Sequence, residues 1–527
     1  MANKATGGKQ GGNFHKSGKK KELDLDGGWM KKKLAGDKAS GSQGKGSSSS
    51  QGAKGGKPGP GKGQGSKAGS AKGNGGKGAS KSQGAKGSSS KAFAQKGSKT
   101  NNAKGQGSRG KADAARAKGN GPRGKADAAR GAQAIAKPQV ASTYDFNAAP
   151  NRRGTFSMKW DIAEDEIPMW VADMDIPTAP AITQAMVDRA ASGVYGYSTI
   201  PAEFRTAVCD WWDRRHGIRF DEKDVLFCNG VIPAIGSLVR TLTNPEDAVL
   251  VQPPVYNHFY TSITENGRKV MECPLDYDGK YYFIDWEDLE EKLALPEVTM
   301  MIVCNPQNPT GTLWSAEDLA HIGELCSMND VVVVSDEIHC DIVAPGKHHV
   351  PFAAASPECR DISITCCSPS KAFNTAGVQS AYVICTNSQL NEAVKEGMAI
   401  DDVAFPNAFA MDAIITAYTK CDQWLDDLNK FLWDNKEEAT HYIEQRLPEI
   451  VVVPSDSTYL VWLDCMELAS DCTELCDAIR EETGLILSPG SIYGSTGEPF
   501  LRMNVACSKA QLQEALRRLD SFFNLYE

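Results

Sequence analysis

The sequence predicts an α/β protein with a mostly parallel sheet covered by helices in a large domain, a smaller α+β domain, and a disordered N-terminal tail. Two observations support this. After about residue 140, short apolar runs alternate with longer amphipathic segments, which is typical of parallel strands joined by helical crossovers. Before residue 138, Gly, Ser, Lys and Ala dominate, and such a segment buries too little apolar surface to offset its ordering entropy.

Composition and pattern divide the chain into four segments. Residues 1–137 form a basic tail with 31 Lys and Arg against 6 Asp and Glu, whereas the remainder has 27 against 60. Residues 186–420 are predicted to be the large domain, and residues 421–527 the small C-terminal domain, which residues 138–185 are expected to complete. The apolar runs predicted as strands of the large domain include residues 225–228, 248–251, 300–304, 331–334, 362–367 and 381–384.

Cysteine usage and hydropathy argue against a disulfide-rich secreted protein and a membrane protein. All 15 cysteines lie between Cys209 and Cys507, and none forms a Cys-x-x-Cys pair, so we expect reduced cysteines and a cytoplasmic location. No apolar run approaches the ~20 residues that a membrane helix needs. The N-terminus also lacks the apolar core of a signal peptide.

Polar and aromatic residues follow several predicted strands, and ligands bind at the carboxyl ends of strands in such sheets. After residues 225–228, a glycine turn enters a helix predicted from Ile232, and the free backbone N–H groups at this helix start suit a phosphate, although many such turns carry a glycine for geometry alone. Tyr256 begins the next predicted helix and can stack on a flat ring, although ordinary core packing is an equal alternative. Asn308 lies in a connection with two Asn-Pro pairs, whose turn residues favour a site.

Two further strand ends carry ionisable side chains. Asp336 follows the apolar run of residues 331–334. Lys371 lies between two β-rich runs, with Ser368 and Ser370 just before it, where a reactive amine can be held next to a phosphate. Most lysines are instead solvated surface charges. The same residues fit the Ser-x-x-Lys pattern of acylating hydrolases, but the companion motifs of that family are absent.

A competing interpretation is a non-haem iron site made of His339, Asp341 and His348. The His-x-Asp spacing permits it. The third ligand comes only seven residues later and no β-barrel pattern surrounds it, which makes this a minor alternative, and no metal is expected.

Taken in order, these segments resemble the fold-type I pyridoxal 5′-phosphate enzymes of the class I/II aminotransferase superfamily, in the cystathionine β-lyase-like C–S lyase branch. The resemblance covers essentially all of residues 143–527. The motifs that carry it are residues 169–175, 195–197, 305–311, 335–341, 368–374 and 501–504. Because several motifs occur in the right order, the resemblance is specific, but it does not extend to the tail.

The resemblance implies a role for each candidate residue. Lys371 would bind the cofactor covalently and later move the substrate Cα proton, and Asp336 would keep the pyridine nitrogen protonated. His339 and Asn308 would lie near the ring oxygen, and Tyr256 would stack on the ring. The cofactor phosphate would be held by the N–H groups of Val231 and Ile232, by the Ser368 and Ser370 hydroxyls, and by Tyr197 of a second subunit.

The same resemblance implies how the substrate binds. Arg502 would hold the substrate α-carboxylate through a bidentate pair that lysine could not replace equally. Gln379 stands eight residues after the lysine, where many aminotransferases have an arginine on the phosphate. The C–S lyase branch is similar to this chain at that position. A homodimer is also implied.

The function that follows is β-elimination from L-cystathionine or a related cysteine conjugate, giving a thiol, pyruvate and ammonia. Transamination on the same cofactor uses the same residues and remains the alternative. A third alternative, from a different class, is a polyanion or nucleic-acid binder that uses the basic tail, which has few aromatic residues for stacking on bases.

Overall fold

The structure is a computed structural model that describes residues 144–524, so the predicted tail, residues 1–137, lies outside the described residues. The strands are β1 (Ile167–Pro168), β2 (Val225–Cys228), β3 (Ala248–Val251), β4 (Lys269–Glu272), β5 (Leu275–Tyr277), β6 (Tyr282–Ile284), β7 (Val298–Cys304), β8 (Val332–Asp336), β9 (Ser363–Cys367), β10 (Ala381–Ile384), β11 (Val451–Val452), β12 (Leu460–Asp464), β13 (Leu485–Ile486), β14 (Ser488–Pro489) and β15 (Phe500–Asn504). The helices are α1 (Pro180–Ala191), α2 (Ala202–His216), α3 (Val231–Leu242), α4 (His258–Thr264), α5 (Trp286–Leu293), α6 (Ala316–Met328), α7 (Phe352–Ala355), α8 (Pro357–Ile362), α9 (Ser388–Ile400), α10 (Ala410–Lys420), α11 (Asp422–Arg446), α12 (Cys472–Thr483) and α13 (Lys509–Asn524).

The large sheet has seven strands in the order β2-β10-β9-β8-β7-β3-β4. Strand β10 is antiparallel to both of its neighbours, and all the other pairs are parallel. The predicted mostly parallel sheet is therefore confirmed. Strands β2, β3, β7, β8 and β9 all run in one direction, so their carboxyl ends share one edge of the sheet.

Helices cover both faces of this sheet, which explains why its strands are apolar without alternation. In β2, Val225 and Phe227 enter the core on one face, whereas Leu226 and Cys228 enter the core on the other. Helix α3 packs on the second face through its own apolar side. Every residue of β2 is buried as a result.

A second sheet, entirely antiparallel, has the order β11-β12-β15-β14 and belongs to the C-terminal part of the chain. The segment before the large sheet contacts this part, because β1 pairs in parallel with β13 and the Asn504 N–H donates to the Met169 carbonyl at 2.8 Å. The predicted domain boundaries at residues 186 and 421 stay predictions. None of the described helices is long and apolar enough to cross a membrane.

Three details differ from the sequence-based expectations. The helix predicted from Tyr256 begins at His258, which leaves Tyr256 in the loop after β3. The strand predicted over residues 331–334 extends to Asp336, because Ser335 and Asp336 continue the parallel pairing with β9. The ribbon of β5 and β6 was not predicted, since each strand has only three residues.

Candidate active site

A cavity of about 220 Å³ opens where the parallel strands of the large sheet end. Loops after β2, β3, β7, β8 and β9 contribute to its wall, as ligand sites on such sheets require. The predicted site residues that line it are Val231, Ile232, Tyr256, Asn308, Asp336, His339, Ser368, Ser370 and Lys371. The structure therefore brings together side chains that span 141 positions of sequence, from Val231 to Lys371.

Lys371 lies in the turn after β9 and its Nζ donates to the Ala172 carbonyl at 2.7 Å. Burial lowers the pKa of this amine to about 8, and the positive charge of Arg502 acts in the same direction. The carboxylates of Asp173 and Asp336 oppose the shift. The neutral form of the amine, which a nucleophile or base requires, is thus far more populated near pH 7 to 8 than in an ordinary lysine.

Asp336 is the last residue of β8 and is 3% exposed. The Ile338 N–H donates to its Oδ1 at 3.1 Å. Burial raises the pKa of the carboxyl group to about 7, although this hydrogen bond and the charge of Lys371 act against the shift. A cation in the cavity would hold the group ionised, and a protonated pyridine nitrogen is such a cation.

His339 and Tyr256 line the cavity as uncharged side chains. Burial, with the positive charges of Lys371 and Arg502, holds the pKa of His339 well below its usual range. The buried Nδ1 of His339 has no hydrogen-bond partner within residues 144–524. Burial raises the pKa of Tyr256 to about 12. Both rings are therefore available to a flat polar ligand without adding charge to the site.

The end of the cavity near α3 carries hydrogen-bond donors of the kind that suits a phosphate. The first N–H groups of a helix have no intrahelical partner, and Val231 and Ile232, which begin α3, face the cavity. Ser370 also lines it, but the Ser368 hydroxyl already donates to the Ser380 carbonyl at 2.7 Å. Ser380, which sequence reasoning missed, lines the cavity with a buried hydroxyl that has no hydrogen-bond partner in the described part of the chain.

Arg502 lies on β15 of the second sheet and reaches the same region, 5% exposed. Its Nη1 donates to Asn308 Oδ1 at 3.2 Å and its Nη2 to the Trp170 carbonyl at 2.8 Å. The buried Nε has no hydrogen-bond partner among the described residues. The guanidinium also lies 4.9 Å from the centroid of the Tyr493 ring. A carboxylate would satisfy the Nε–H donor.

The segment before α1 was recognised as a motif, yet its contacts were not anticipated. The Ala172 carbonyl accepts hydrogen bonds from Lys371 and, at 3.0 Å, from the Tyr459 hydroxyl. These partners are 199 and 287 residues away, so no local pattern in the sequence predicts them. Tyr197, by contrast, is fully exposed and does not line the cavity of its own chain.

The competing iron site is not assembled. His339 lines the cavity described above, whereas Asp341 and His348 line another one. Within the described residues, His216, Cys340 and Asp341 do place potential ligand atoms within 4.8 Å of one another. The Asp341 carboxylate is already bound by His216 Nε2 at 2.9 Å and by the Trp211 indole N–H, which explains this cluster as a buried hydrogen-bond network.

The donor set fits pyridoxal 5′-phosphate. One cavity is lined by the buried amine of Lys371, the buried carboxylate of Asp336 and the N-terminus of α3. Within the described residues, no cation is hydrogen-bonded to this carboxylate. The unpaired polar atoms of His339, Ser380 and Arg502 are the kind that a polar cofactor and its substrate would satisfy. Asp336 would hold the ring nitrogen, Lys371 the aldehyde carbon, and α3 the phosphate.

Comparison with known proteins agrees with this geometry. Residues 165–519 match the family model described as aminotransferase class I and II. Cystathionine beta-lyase PatB of Bacillus subtilis is 41% identical over 381 residues, which cover 71% of this chain and 98% of that protein. Protein MalY of Escherichia coli is 33% identical, with 71% and 98% covered.

Solved structures give the same result. Cystalysin from Treponema denticola, which contains pyridoxal 5′-phosphate, has a TM-score of 0.70 at 29% identity and covers 73% of this chain and 100% of its own. The pyridoxal-phosphate-bound C–S lyase from Staphylococcus hominis has a TM-score of 0.68 at 30% identity, with 72% and 98% covered. The chain belongs to the class I and II aminotransferase family, as a pyridoxal 5′-phosphate enzyme of its C–S lyase branch.

Proposed function

We propose that this enzyme catalyses β-elimination from L-cystathionine or a related cysteine conjugate. The Cα–H and Cβ–S bonds of the substrate break, the thiolate leaves, and hydrolysis of the remaining three-carbon fragment gives pyruvate and ammonia. With L-cystathionine the thiol product is homocysteine and one water is consumed. The similarity to Cystathionine beta-lyase PatB and to the C–S lyase of Staphylococcus hominis supports this assignment.

Residues in and beside the cavity can each perform one step of this reaction. Arg502 binds the substrate α-carboxylate with its free Nε, which orients the Cα–H bond. Lys371, whose pKa is lowered to about 8, accepts the Cα proton as a neutral amine. When bound, the cofactor withdraws electrons from Cα. Asp336 provides the negative charge that keeps the cofactor nitrogen protonated.

The observation that carries the proposal is the position of Lys371. Its buried amine shares one cavity wall with Asp336. Arg502, whose positive charge adds to the effect of burial on the lysine pKa, donates to Asn308 of the same wall. Buried, perturbed ionisable groups that converge on a cavity are the usual sign of a catalytic centre. The same constellation would also serve transamination, in which the proton returns to the cofactor instead of a thiolate leaving.

The test is to incubate the full chain with pyridoxal 5′-phosphate and L-cystathionine and to assay pyruvate and thiol without adding a keto acid. We expect both products in equal amounts, and loss of both together with the bound cofactor's absorption band in Lys371→Ala. A band without these products, but with amino transfer to an added keto acid, would establish the aminotransferase instead. Absence of any band would overturn both assignments.

Three finer expectations are part of the proposal. The enzyme would act as a homodimer in which Tyr197 contributes to the partner's phosphate site, and its full exposure in one chain, beside exposed Val194 and Tyr195, is consistent with a contact to a second copy. Its 15 cysteines, none in a disulfide, suit the cytoplasm. The polyanion-binding alternative depends on the tail, which lies outside the described residues.

A further inference from the structure

A second cavity, of about 280 Å³, adjoins the cofactor cavity. The two share Ala376 as a lining residue. The wall of the second cavity comes from the segment before α1, which includes Arg152 and Asp173, and from the turn that follows Lys371, which includes Asn374 and Gly377. Its volume is several times the ~30 Å³ occupied by one water in the liquid, so it has room for an organic group.

The charged groups of this second cavity are arranged in two layers. Lys159 Nζ and Asp175 Oδ2 form an ion pair at 2.9 Å, and these side chains are only 1% and 2% exposed. Above them, Arg152 Nη2 lies 2.7 Å from Asp173 Oδ2, and these two side chains are 20% and 23% exposed. Arg152 Nη1 also lies 2.7 Å from Asp175 Oδ1, so the four groups form one network of two positive and two negative charges, in which Arg152 and Asp173, the outer pair, are the more exposed members.

Asp173 is also close to the reacting centre. It directly follows Ala172, whose carbonyl accepts the hydrogen bond from Lys371 Nζ at 2.7 Å, and neighbouring Cα atoms are about 3.8 Å apart. Burial lowers the pKa of Lys371, and the negative charge of Asp173 opposes this shift. Asp173 therefore lines the second cavity and directly follows the residue that binds the lysine amine.

We propose that the second cavity binds the far end of the substrate, as a subsite for a second α-amino-acid group. This inference rests on the proposed lyase function. L-Cystathionine carries an ammonium and a carboxylate at each end, and Arg502 accounts for only one carboxylate. Asp173 accepts hydrogen bonds from the distal ammonium, and Arg152 attracts the distal carboxylate. The preferred substrates are thus cysteine thioethers whose sulfur substituent ends in a zwitterion.

Asp173 has the acceptor capacity for this role. A carboxylate offers about four lone-pair sites. Arg152 uses two of them, through Nη1 to Oδ1 at 3.2 Å and Nη2 to Oδ2 at 2.7 Å. Lys159 is farther away, at 3.7 Å from Oδ1. The alternative is that the outer pair only anchors the segment before α1, in which case its loss would affect every substrate equally.

The experiment compares two substrates on the holoenzyme of the full chain. S-Propyl-L-cysteine has the same thioether chain as L-cystathionine but lacks the distal ammonium and carboxylate. In Asp173→Asn, which keeps the shape of the side chain, we expect kcat/KM for L-cystathionine to fall about 10- to 100-fold, the scale of one lost charge-assisted hydrogen bond. S-Propyl-L-cysteine reports any effect that the lost charge has on Lys371 itself, so we expect a smaller loss for this substrate and a clear fall in the ratio of the two kcat/KM values.

A second variant tests the cavity without touching the charged pair. A Cβ added at Gly377 would meet no atom within 4 Å, so Gly377→Leu can be accommodated and its side chain would occupy the cavity. We expect the ratio of kcat/KM for L-cystathionine over S-propyl-L-cysteine to fall in this variant too. Calorimetry gives a third measurement. In a Lys371→Ala background, Asp173→Asn should weaken the binding of L-cystathionine but not the binding of S-propyl-L-cysteine.

The outcomes separate the two proposals. Equal losses for both substrates, or no loss for either, would overturn the subsite while leaving the lyase function intact. If the parent enzyme forms pyruvate from neither substrate, the lyase function itself is wrong and the subsite is wrong with it.

Discussion

Asp336 illustrates how one residue can be assigned from its surroundings. The carboxyl group is buried, its pKa is raised to about 7, and the Ile338 N–H donates to it. We expect Asp336→Asn to keep the cofactor bound through Lys371 but to lower kcat by about 10²- to 10³-fold, the scale of removing one electrostatic contact to the reacting centre. The measurement is kcat for pyruvate formation in samples matched for cofactor content by absorbance.

Asp341 provides the matched control for that prediction. It is also a buried carboxylate that follows β8, but it lines a different cavity and is bound by Trp211 and His216. Asp341→Asn should lower stability, because it weakens a buried network, and should leave kcat within about threefold of the parent. Equal kcat losses in the two variants would show that neutralising any buried carboxylate here disturbs the fold, and the assignment of Asp336 would then lose its support.

At the scale of elements, the sequence predicted the structure wherever the pattern lay within one short segment of the chain. Apolar runs predicted β2, β3, β7, β8, β9 and β10 to within a few residues, and their order along the chain placed Asp336 and Lys371 at one edge of the sheet. Contacts between distant segments were not predictable in the same way. The hydrogen bond from Lys371 to Ala172 depends on how separate elements pack. The same holds for the Ser380 hydroxyl just before β10, which is buried without a partner among the described residues.

Helix α11 supports the site through a buried lysine that the sequence did not single out. Lys436 Nζ donates to Ser455 Oγ at 2.6 Å and to the Ser457 carbonyl at 2.8 Å. The Ser457 hydroxyl in turn donates to the carbonyl of Gly311, at the end of the loop that carries Asn308. Lys436→Met leaves these acceptors unpaired, and we expect a loss of about 1–3 kcal/mol in the free energy of unfolding at about pH 10 and above, where the folded chain no longer has to release a proton that the unfolded chain keeps.

The pH dependence of stability gives this prediction a distinctive sign. Burial lowers the pKa of Lys436 from 10.5 to about 7 in the folded state. Between these two values the unfolded chain binds a proton that the folded chain releases, so this lysine makes stability rise with pH across that window. Urea unfolding at pH 7 and pH 9 should therefore show a smaller rise in Lys436→Met than in the parent. Lys430→Met, at an exposed position of α11, should keep the parent's rise.

For the whole molecule, the exposure of Tyr197 raises the question of whether one chain is sufficient for activity. If Tyr197 completes the phosphate site of a partner, Lys371→Ala and Tyr197→Phe disable different halves of one active site. Coexpressing the two variants would produce mixed dimers in which one of the two sites has both residues intact. Random pairing would then restore about a quarter of the parent activity, more than either variant retains alone.

The geometry of Tyr195 supplies the comparison that makes this result interpretable. The Tyr195 hydroxyl donates to the Ala190 carbonyl of its own chain at 2.6 Å, so Tyr195→Phe acts within one subunit. Mixing Tyr195→Phe with Lys371→Ala should give no more activity than Tyr195→Phe subunits contribute by themselves. If Tyr197→Phe behaves in the same way, Tyr197 serves its own chain or no site at all. Restoration specific to Tyr197 would instead mean that each cavity is completed only on dimerisation, since the side chain lies outside the cavity of its own subunit.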